Sequence, residues 1–167
     1  MPIIFKNPAL LINLSSGSAS DISQEITTMV TDKGHSAPEC FISEGEKIAE
    51  QFSALKASKP DLIIVFGGDG TCRSAAEIAR EYDVPLIALP GGTMNILPRE
   101  LYKTIEWKEA LKLALDQKEP RWHKAGLLNG SPFYCGAIIG APTRMANVRE
   151  SVRQGQLSEA VTAIPKV

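Results

Sequence analysis

The sequence has few of the features that mark specialised protein classes. Its three cysteines, Cys40, Cys72 and Cys135, are odd in number and widely spaced. This usage excludes a cysteine-rich metal site and suits a reducing cytoplasm. No apolar run approaches the roughly 20 residues that a membrane-spanning helix needs. The N-terminus has no basic region followed by an apolar core, so we expect no signal peptide and a cytoplasmic protein.

An excess of charge of one sign is also absent. The 18 lysines and arginines nearly balance the 19 aspartates and glutamates, which gives a net charge of −1. Nothing therefore indicates binding to nucleic acid. A hydrophobic content of 44% is ordinary for a globular protein. The 167 residues suffice for one domain with a sizeable core, or for one domain plus part of another.

What the sequence does contain is an apolar run that ends in glycines around one carboxylate. Residues 62–66 are apolar on both faces, which is typical of a buried parallel strand. Gly67, Gly68 and Gly70 lack Cβ, so they can adopt positive φ and let a ligand approach the backbone closely. Their N–H groups, and the positive end of a helix that begins near Thr71, favour an anion such as phosphate.

Asp69 needs a separate explanation, because a carboxylate repels phosphate. Holding a metal ion, or taking a proton from an attacking hydroxyl, would explain a carboxylate at this place. The alternative interpretation is a tight strand-to-helix turn in which Asp69 is the N-cap. The glycines alone do not separate these two interpretations.

A second loop of the same kind strengthens the first interpretation. Residues 84–89 form another apolar run, and residues 90–95 read Pro-Gly-Gly-Thr-Met-Asn. Two strands about one βαβ unit apart place their loops at the same edge of a sheet. Together the two loops predict a nucleotide site.

The rest of the chain predicts alternating strands and helices. We predict strands at 9–14, 39–43, 62–66 and 84–89, helices at 21–33, 46–56, 71–82 and 107–117, a hairpin at 122–128 and 131–139, and a polar helix at 145–160. This βαβαβαβ order favours an α/β fold with a parallel, Rossmann-like sheet. We expect a nucleotide-binding domain at 1–120, followed at 121–167 by the start of a β-rich second domain.

These motifs resemble the diacylglycerol kinase catalytic-domain family, which includes bacterial lipid kinases and sphingosine kinases. The resemblance rests on three motifs, each of which follows a predicted strand, and it covers roughly residues 8–140. The motifs are Gly67-Gly68-Asp69-Gly70-Thr71, Gly92-Thr93-x-Asn95 and Asn13-x-x-Ser16-Gly17. The aspartate motif alone is shared with NAD kinases and phosphofructokinases.

The resemblance implies an ATP- and Mg²⁺-dependent lipid kinase, of which this chain is mainly the ATP-binding half. Asp69 would be the catalytic residue, acting through Mg²⁺ or on the acceptor hydroxyl. The implied acceptor is a lipid such as diacylglycerol, reached by peripheral contact with a membrane. The implied nucleotide-binding residues are Asn13, Leu14, Ser15, Ser16, Gly17, Ser43, Gly67, Gly68, Asp69, Gly70, Thr71, Cys72, Arg73, Gly92, Thr93 and Asn95.

The sequence also departs from the family pattern. Leu14 stands where the family has proline, Arg73-Ser74 stands for Asn-Glu, and Ile96-Leu97-Pro98 stands for Asp-Phe-Ala. These changes indicate another acceptor or a weakened catalytic site. Two alternatives to a lipid kinase therefore stay open, a non-catalytic nucleotide-binding or interaction module and an enzyme resembling NAD kinase.

Length is the largest departure, because family members are roughly twice as long. We therefore expect weak nucleotide binding and slow turnover from this chain. An incomplete second domain would expose apolar surface and a strand edge, so a homodimer is a further hypothesis.

Overall fold

A computed structural model of the chain describes residues 3–16, 22–44 and 47–136. The chain divides into two compact units, residues 1–125 and 126–167. The elements of the first unit are β1 (Pro8–Asn13), α1 (Ser23–Asp32), β2 (Glu39–Ser43), α2 (Ile48–Ser58), β3 (Leu62–Gly67), α3 (Asp69–Tyr82), β4 (Leu86–Pro90), α4 (Ile96–Tyr102) and α5 (Trp107–Leu115).

The four strands form one parallel sheet in the order β2-β1-β3-β4. The predicted α/β fold with a parallel sheet is therefore confirmed. From β1 the chain adds β2 on one side, and it then crosses to add β3 on the other side. The carboxyl ends of β1 and β3 thus flank the point where the strand order reverses. Open α/β sheets bind ligands at such a point.

A core of aliphatic side chains holds the sheet between helices. Ile26 and Val30 of α1, with Leu111 of α5, pack against strand residues such as Leu10 and Ile64, and all five are buried. Burial of each such side chain contributes about 1.5–3 kcal/mol. Every residue of β3 is buried, which explains why its sequence is continuously apolar rather than alternating.

The helix α3 packs closely on the sheet because its buried stripe is made of small residues. Cys72, Ala75, Ala76 and Ala79 lie on this stripe, and α3 packs against β3 and β4. The helix begins at Asp69, which is earlier than the start near Thr71 that the sequence predicts. The loop after β3 is correspondingly short, and Gly68 is its N-cap residue.

The helix α4 was not predicted from the sequence. Pro98 reads as a helix breaker, but it lies within the first turn of α4, where its missing N–H has no intrahelical partner to lose. Asn95, the N-cap residue, adopts a left-handed conformation with φ of 50°. The helix therefore starts directly from the second glycine loop.

The second unit contains a short antiparallel hairpin, β5 (Gly126–Leu128) and β6 (Ser131–Phe133). Asn129 and Gly130 join the strands with φ of 50° and 78°, as a two-residue hairpin turn of the predicted kind requires. The first strand is shorter than predicted, because residues 121–125 form no strand. The predicted hairpin residues 137–139 and the helix at 145–160 lie outside the described residues.

Within the described ranges, no helix is long and apolar enough to cross a membrane.

Candidate functional site

The loop after β1 meets the loop after β3 at the carboxyl edge of the sheet. The Gly68 N–H donates a hydrogen bond to Ser16 Oγ at 3.0 Å. The Asn13 Nδ2 donates to Thr71 Oγ1 at 2.9 Å. These two bonds bring together residues of two separate predicted motifs, at the point where the strand order reverses.

The loops after β3 and β4 pack backbone against backbone. The Gly91 N–H donates to the Gly67 carbonyl oxygen at 3.0 Å. A Cβ on Gly91 would lie 2.8 Å from the Gly67 nitrogen, and a Cβ on Gly92 would lie 2.5 Å from the Gly68 Cα. Side chains at Gly91 and Gly92 would therefore force the two loops apart.

This packing corrects the explanation that the sequence suggests for the first glycine loop. Among the described glycines, the two with positive φ are Gly34 and Gly130. Gly67, Gly68 and Gly70 thus do not serve to turn the chain through the left-handed region. At Gly67 the reason is space, because a Cβ would lie 2.9 Å from the Thr71 Cβ.

Gly70 is a different case. It lies in the first turn of α3, it is exposed, and a Cβ there would meet nothing within 4 Å. Neither backbone conformation nor packing within the described structure requires glycine at this position. The N–H groups of a first helical turn have no intrahelical acceptors and carry the positive end of the helix dipole. The surface over Gly70 is therefore open to an anion.

Asp69 does not cap its own helix, so that interpretation is wrong. It is the first residue of α3, and its Oδ1 accepts a hydrogen bond from the Leu97 N–H at 3.1 Å. Leu97 belongs to the first turn of α4. The Asp69 side chain thus caps the neighbouring helix and fixes one carboxylate oxygen between the two glycine loops.

The carboxylate of Asp69 suits a metal ion only in combination with phosphate. Among the described residues, no group of three or more His, Cys, Asp or Glu side chains is placed to hold a metal ion. Mg²⁺ is commonly bound by one or two carboxylates together with substrate phosphates and water. Asp69 fits that kind of shared coordination rather than an all-protein site.

The side chain of Asn95 closes the second glycine loop. Its Oδ1 accepts from the Gly92 N–H at 2.7 Å, and its Nδ2 donates to the Gly92 carbonyl at 2.8 Å. Both ends of the amide are therefore engaged within the loop. Thr93 and Met94, between these two residues, are exposed, and Thr93 is the one of the two with a hydroxyl that a polar ligand can reach.

Ser43 brings a fourth segment to the site. It ends β2 and pairs in register with Asn13 of β1. Its side chain is 1% exposed, and its Oγ has no hydrogen-bond partner within the described part of the chain. A buried hydroxyl without a partner costs about 1–3 kcal/mol. The Ser43 hydroxyl is therefore a polar group at this edge whose hydrogen-bonding capacity is unused within the described residues.

The other predicted site residues have different surroundings. The side chains of Thr71 and Cys72 are buried against the sheet. Ser15 is exposed, and its N–H donates to Asn13 Oδ1 at 3.1 Å in a tight turn. Leu14 is half-buried, and Gly17 lies outside the described residues. Cys72 and Thr71 therefore support the loop, while Ser15 stays accessible.

Behind the second loop, Tyr102 of α4 lies in an apolar environment. Burial raises the pKa of Tyr102 to about 12, although a hydrogen bond with the Ala88 backbone works in the opposite direction. The phenol thus anchors α4 against β4. No motif in the sequence indicated this contact, because it depends on α4, a helix that was not predicted because of Pro98.

Comparison with known proteins places this geometry in a family. Residues 7–124 match the family model for the diacylglycerol kinase catalytic domain. The chain belongs to this family. The family explains the glycine loops at the carboxyl edge of a parallel sheet, and it confirms the resemblance that the three motifs indicated.

Two solved structures from Bacillus anthracis str. Sterne resemble the chain. One, of a diacylglycerol kinase, has a TM-score of 0.53 and 29% identity, over 66% of this chain and 43% of that chain. Another, of a putative diacylglycerol kinase, has a TM-score of 0.53 and 28% identity, over 68% of this chain and 42% of that chain. The chain thus spans less than half the length of these proteins.

Two curated relatives are an NAD kinase and a phosphofructokinase. The NAD kinase of Aquifex aeolicus (strain VF5) is 40% identical over 67 residues, which cover 40% of this chain and 24% of that protein. An ATP-dependent 6-phosphofructokinase 2 of Bacteroides thetaiotaomicron is 37% identical over 76 residues, or 44% of this chain and 22% of that protein. The fold is therefore a kinase fold, and the homologues are phosphotransferases.

Proposed function

We propose that this chain binds ATP at the carboxyl ends of β1, β3 and β4, with the phosphates over Gly70 in the first turn of α3. Gly70 carries the proposal. Gly91 and Gly92 are constrained by the neighbouring loop and Gly67 by the Thr71 side chain, but nothing in the described structure requires glycine at position 70. A phosphate that approaches the backbone there gives the missing reason.

Ser43 supports a second part of the same site. Its buried hydroxyl has no partner within the described residues, and a nucleotide hydroxyl or ring nitrogen would satisfy it. Asn13, Ser15 and Ser16 would line the nucleotide from β1, and Thr93 would line it from the second glycine loop. Gly17 joins this set through its motif alone.

The proposed reaction is phosphoryl transfer from ATP to a lipid hydroxyl, such as that of diacylglycerol. The acceptor oxygen forms a bond to the γ-phosphorus, the bond to the ADP oxygen breaks, and the hydroxyl proton passes to the Asp69 carboxylate. The Leu97 N–H holds one oxygen of that carboxylate in place. Mg²⁺, when bound with the phosphates, neutralises their charge beside Asp69.

We expect this chain alone to catalyse the transfer only slowly. It spans less than half the length of the solved structures that it resembles, and many enzymes close a cleft around the bound substrate to exclude water. We propose that a second domain starts after residue 120 and supplies the other wall. Contact with a membrane surface follows from a lipid acceptor, and a homodimer stays a proposal.

A second candidate is phosphoryl transfer to NAD. The 40% identity to an NAD kinase over 67 residues favours this candidate. A third is a nucleotide-binding module without chemistry, favoured by the departures from the family at Arg73-Ser74 and at residues 96–98. These candidates share the nucleotide site and differ in what receives the phosphate.

Single-turnover transfer of labelled phosphate from ATP separates these candidates. A high protein concentration makes slow transfer visible. Diacylglycerol in mixed micelles, NAD and fructose 6-phosphate are offered separately to the wild type, Asp69→Asn and Asp83→Asn. Asp83 is a matched control, because it ends the same helix in a left-handed conformation that Asn also adopts readily.

We expect slow transfer to diacylglycerol that is lost in Asp69→Asn and kept in Asp83→Asn. Transfer to NAD instead would establish the second candidate. Nucleotide binding without transfer to any acceptor would contradict the proposed transfer by this chain and would favour the module without chemistry.

A further inference from the structure

Arg73 lies on the exposed face of α3 that begins at Gly70. Gly70, Arg73, Ser74 and Glu77 follow one another at helical spacing along this face, and Gly70 and Arg73 are exposed. The opposite face of α3 is buried against the sheet. This face thus carries, in order, the open surface over Gly70, the cation of Arg73 and the anion of Glu77.

The resting partner of Arg73 is Glu77. The Arg73 Nε lies 3.1 Å from Glu77 Oε1, and the two side chains are 55% and 41% exposed. Ion pairs with this exposure are weak, because water and salt screen them. The order is also the weaker one, since an acid that precedes its base by four residues suits the helix dipole better than the reverse.

The position of Arg73 is unfavourable for a cation in an isolated helix. It lies just beyond the first turn of α3, near the end where the dipole is positive. Helical side chains lean toward the N-terminus, so the natural direction of Arg73 is toward Gly70. Its contact with Glu77 is the ordinary meeting of two helical side chains four positions apart. A phosphate over Gly70 would lie within reach of the guanidinium and would offset the unfavourable interaction of Arg73 with the helix dipole.

We propose that the Arg73 guanidinium leaves Glu77 and binds a phosphate of the nucleotide when the nucleotide is bound. When the site is empty, the guanidinium pairs with Glu77. The planar guanidinium binds phosphate oxygens in pairs, which a single exposed carboxylate contact does not match. The inference rests on the proposed nucleotide site. The buried Ser43 hydroxyl at the same sheet edge, unpartnered within the described residues, is an independent observation that supports a ligand there.

Calorimetric titration with MgATP tests this exchange of partners. The proteins are the wild type, Arg73→Gln, Glu77→Gln, the double variant and Arg80→Gln, which changes an exposed arginine in the last turn of the same helix. We expect Arg73→Gln to weaken binding on the order of tenfold, since it removes charge-assisted hydrogen bonds. We expect Glu77→Gln to strengthen binding about twofold, because the competing pair is weak.

The double variant is the decisive arm. If Glu77 acts by competing for Arg73, its substitution has no effect once Arg73 is absent, so the double variant binds like Arg73→Gln. Equal strengthening by Glu77→Gln in both backgrounds would overturn the exchange, because Glu77 would then act only as a general negative charge. Unchanged binding in Arg73→Gln, with tight binding by the wild type, would overturn it as well and leave the nucleotide site standing.

Failure of the wild type to bind MgATP has a different meaning, because it overturns the proposed nucleotide site itself and the exchange with it. Arg80→Gln is expected to bind like the wild type. Urea unfolding of each variant, in which we expect midpoints close to that of the wild type, checks that changes in affinity do not come from unfolding.

Discussion

At the scale of single residues, Asp69 combines a structural contact with a proposed chemical role. Its Oδ1 accepts the Leu97 N–H of α4, while its helix presents the open surface at Gly70. The carboxylate that would take the proton of the acceptor hydroxyl is thereby held by α4, the helix that follows β4. Loss of the side chain therefore affects stability as well as chemistry.

We predict that Asp69→Ala lowers the free energy of unfolding by about 1 kcal/mol, the usual effect of losing a helix cap. Asp69→Asn keeps an oxygen that accepts the Leu97 N–H, so it should lower stability less. Urea unfolding of the two variants measures the difference. Equal stability of Asp69→Ala and the wild type would show that the hydrogen bond to Leu97 does not hold α4.

Tyr102 gives a prediction about alkaline pH. Its pKa is raised from 10.0 to about 12, chiefly by burial. Between these values the unfolded chain loses the phenol proton before the folded chain does, so stability falls as pH rises. The contribution is fully present below pH 10. By pH 11 the loss is about 1 kcal/mol.

The measurement is urea unfolding at pH 8 and pH 11 for the wild type, Tyr102→Phe and Tyr82→Phe. Between pH 8 and pH 11, the loss of unfolding free energy should be about 1 kcal/mol smaller in Tyr102→Phe than in the wild type. Tyr82 is 37% exposed, and its substitution should leave the loss as in the wild type. The same dependence in all three proteins would contradict the assigned pKa.

At the scale of elements, the sequence predicts the strands well and the loops only partly. The buried strands follow from continuous apolar runs such as residues 62–66. Their order along the chain predicted that the two glycine loops lie at one edge, and the parallel register agrees. Asn13 and Ser43 were implied by the family resemblance, and their strands end at the same edge. The partner of Asp69 could not be predicted, because Leu97 is 28 positions away and belongs to α4. Pro98 argued against a helix in that segment.

The glycines show the same limit. Sequence reasoning assigned conformational freedom to the first glycine loop, but in the structure the constraint is space: Gly91 and Gly92 contact the backbone of the neighbouring loop, and Gly67 contacts the Thr71 side chain. The contact between the loops depends on the neighbouring loop, which local sequence does not reveal. The two groups of glycines can now be separated by substitution.

We predict that Gly70→Ala and Gly92→Ala change stability in opposite directions. A Cβ on Gly70 meets open space in a helix, so alanine should stabilise the protein by up to about 1 kcal/mol. A Cβ on Gly92 would lie 2.5 Å from the Gly68 Cα, so alanine there should destabilise it by about 1–3 kcal/mol. Thermal unfolding measures both effects.

In Gly70→Ala, stability and affinity for MgATP should change in opposite directions. Gly70→Ala covers the surface proposed for phosphate, so its affinity for MgATP should fall although its stability rises. Unchanged affinity in a stabilised Gly70→Ala protein would contradict the place assigned to the phosphates.

At the scale of the whole molecule, the sheet has two edges with different roles. The amino edge is closed by structural contacts, since both carboxylate oxygens of Asp61 accept backbone N–H groups, from Lys6 and Asn7. The carboxyl edge carries the glycine loops, the unsatisfied Ser43 hydroxyl and the open turn at Gly70. This division agrees with the proposed nucleotide site at the carboxyl ends of the strands.

Amide chemical shifts during a titration with MgATP test this central claim most directly. The account predicts that the N–H signals of residues 68–71 and 92–93 move and saturate together, while those of Lys6, Asn7 and Asp61 stay in place. Shifts confined to the amino edge or to the hairpin would contradict the account. So would the absence of any saturable shift at millimolar nucleotide.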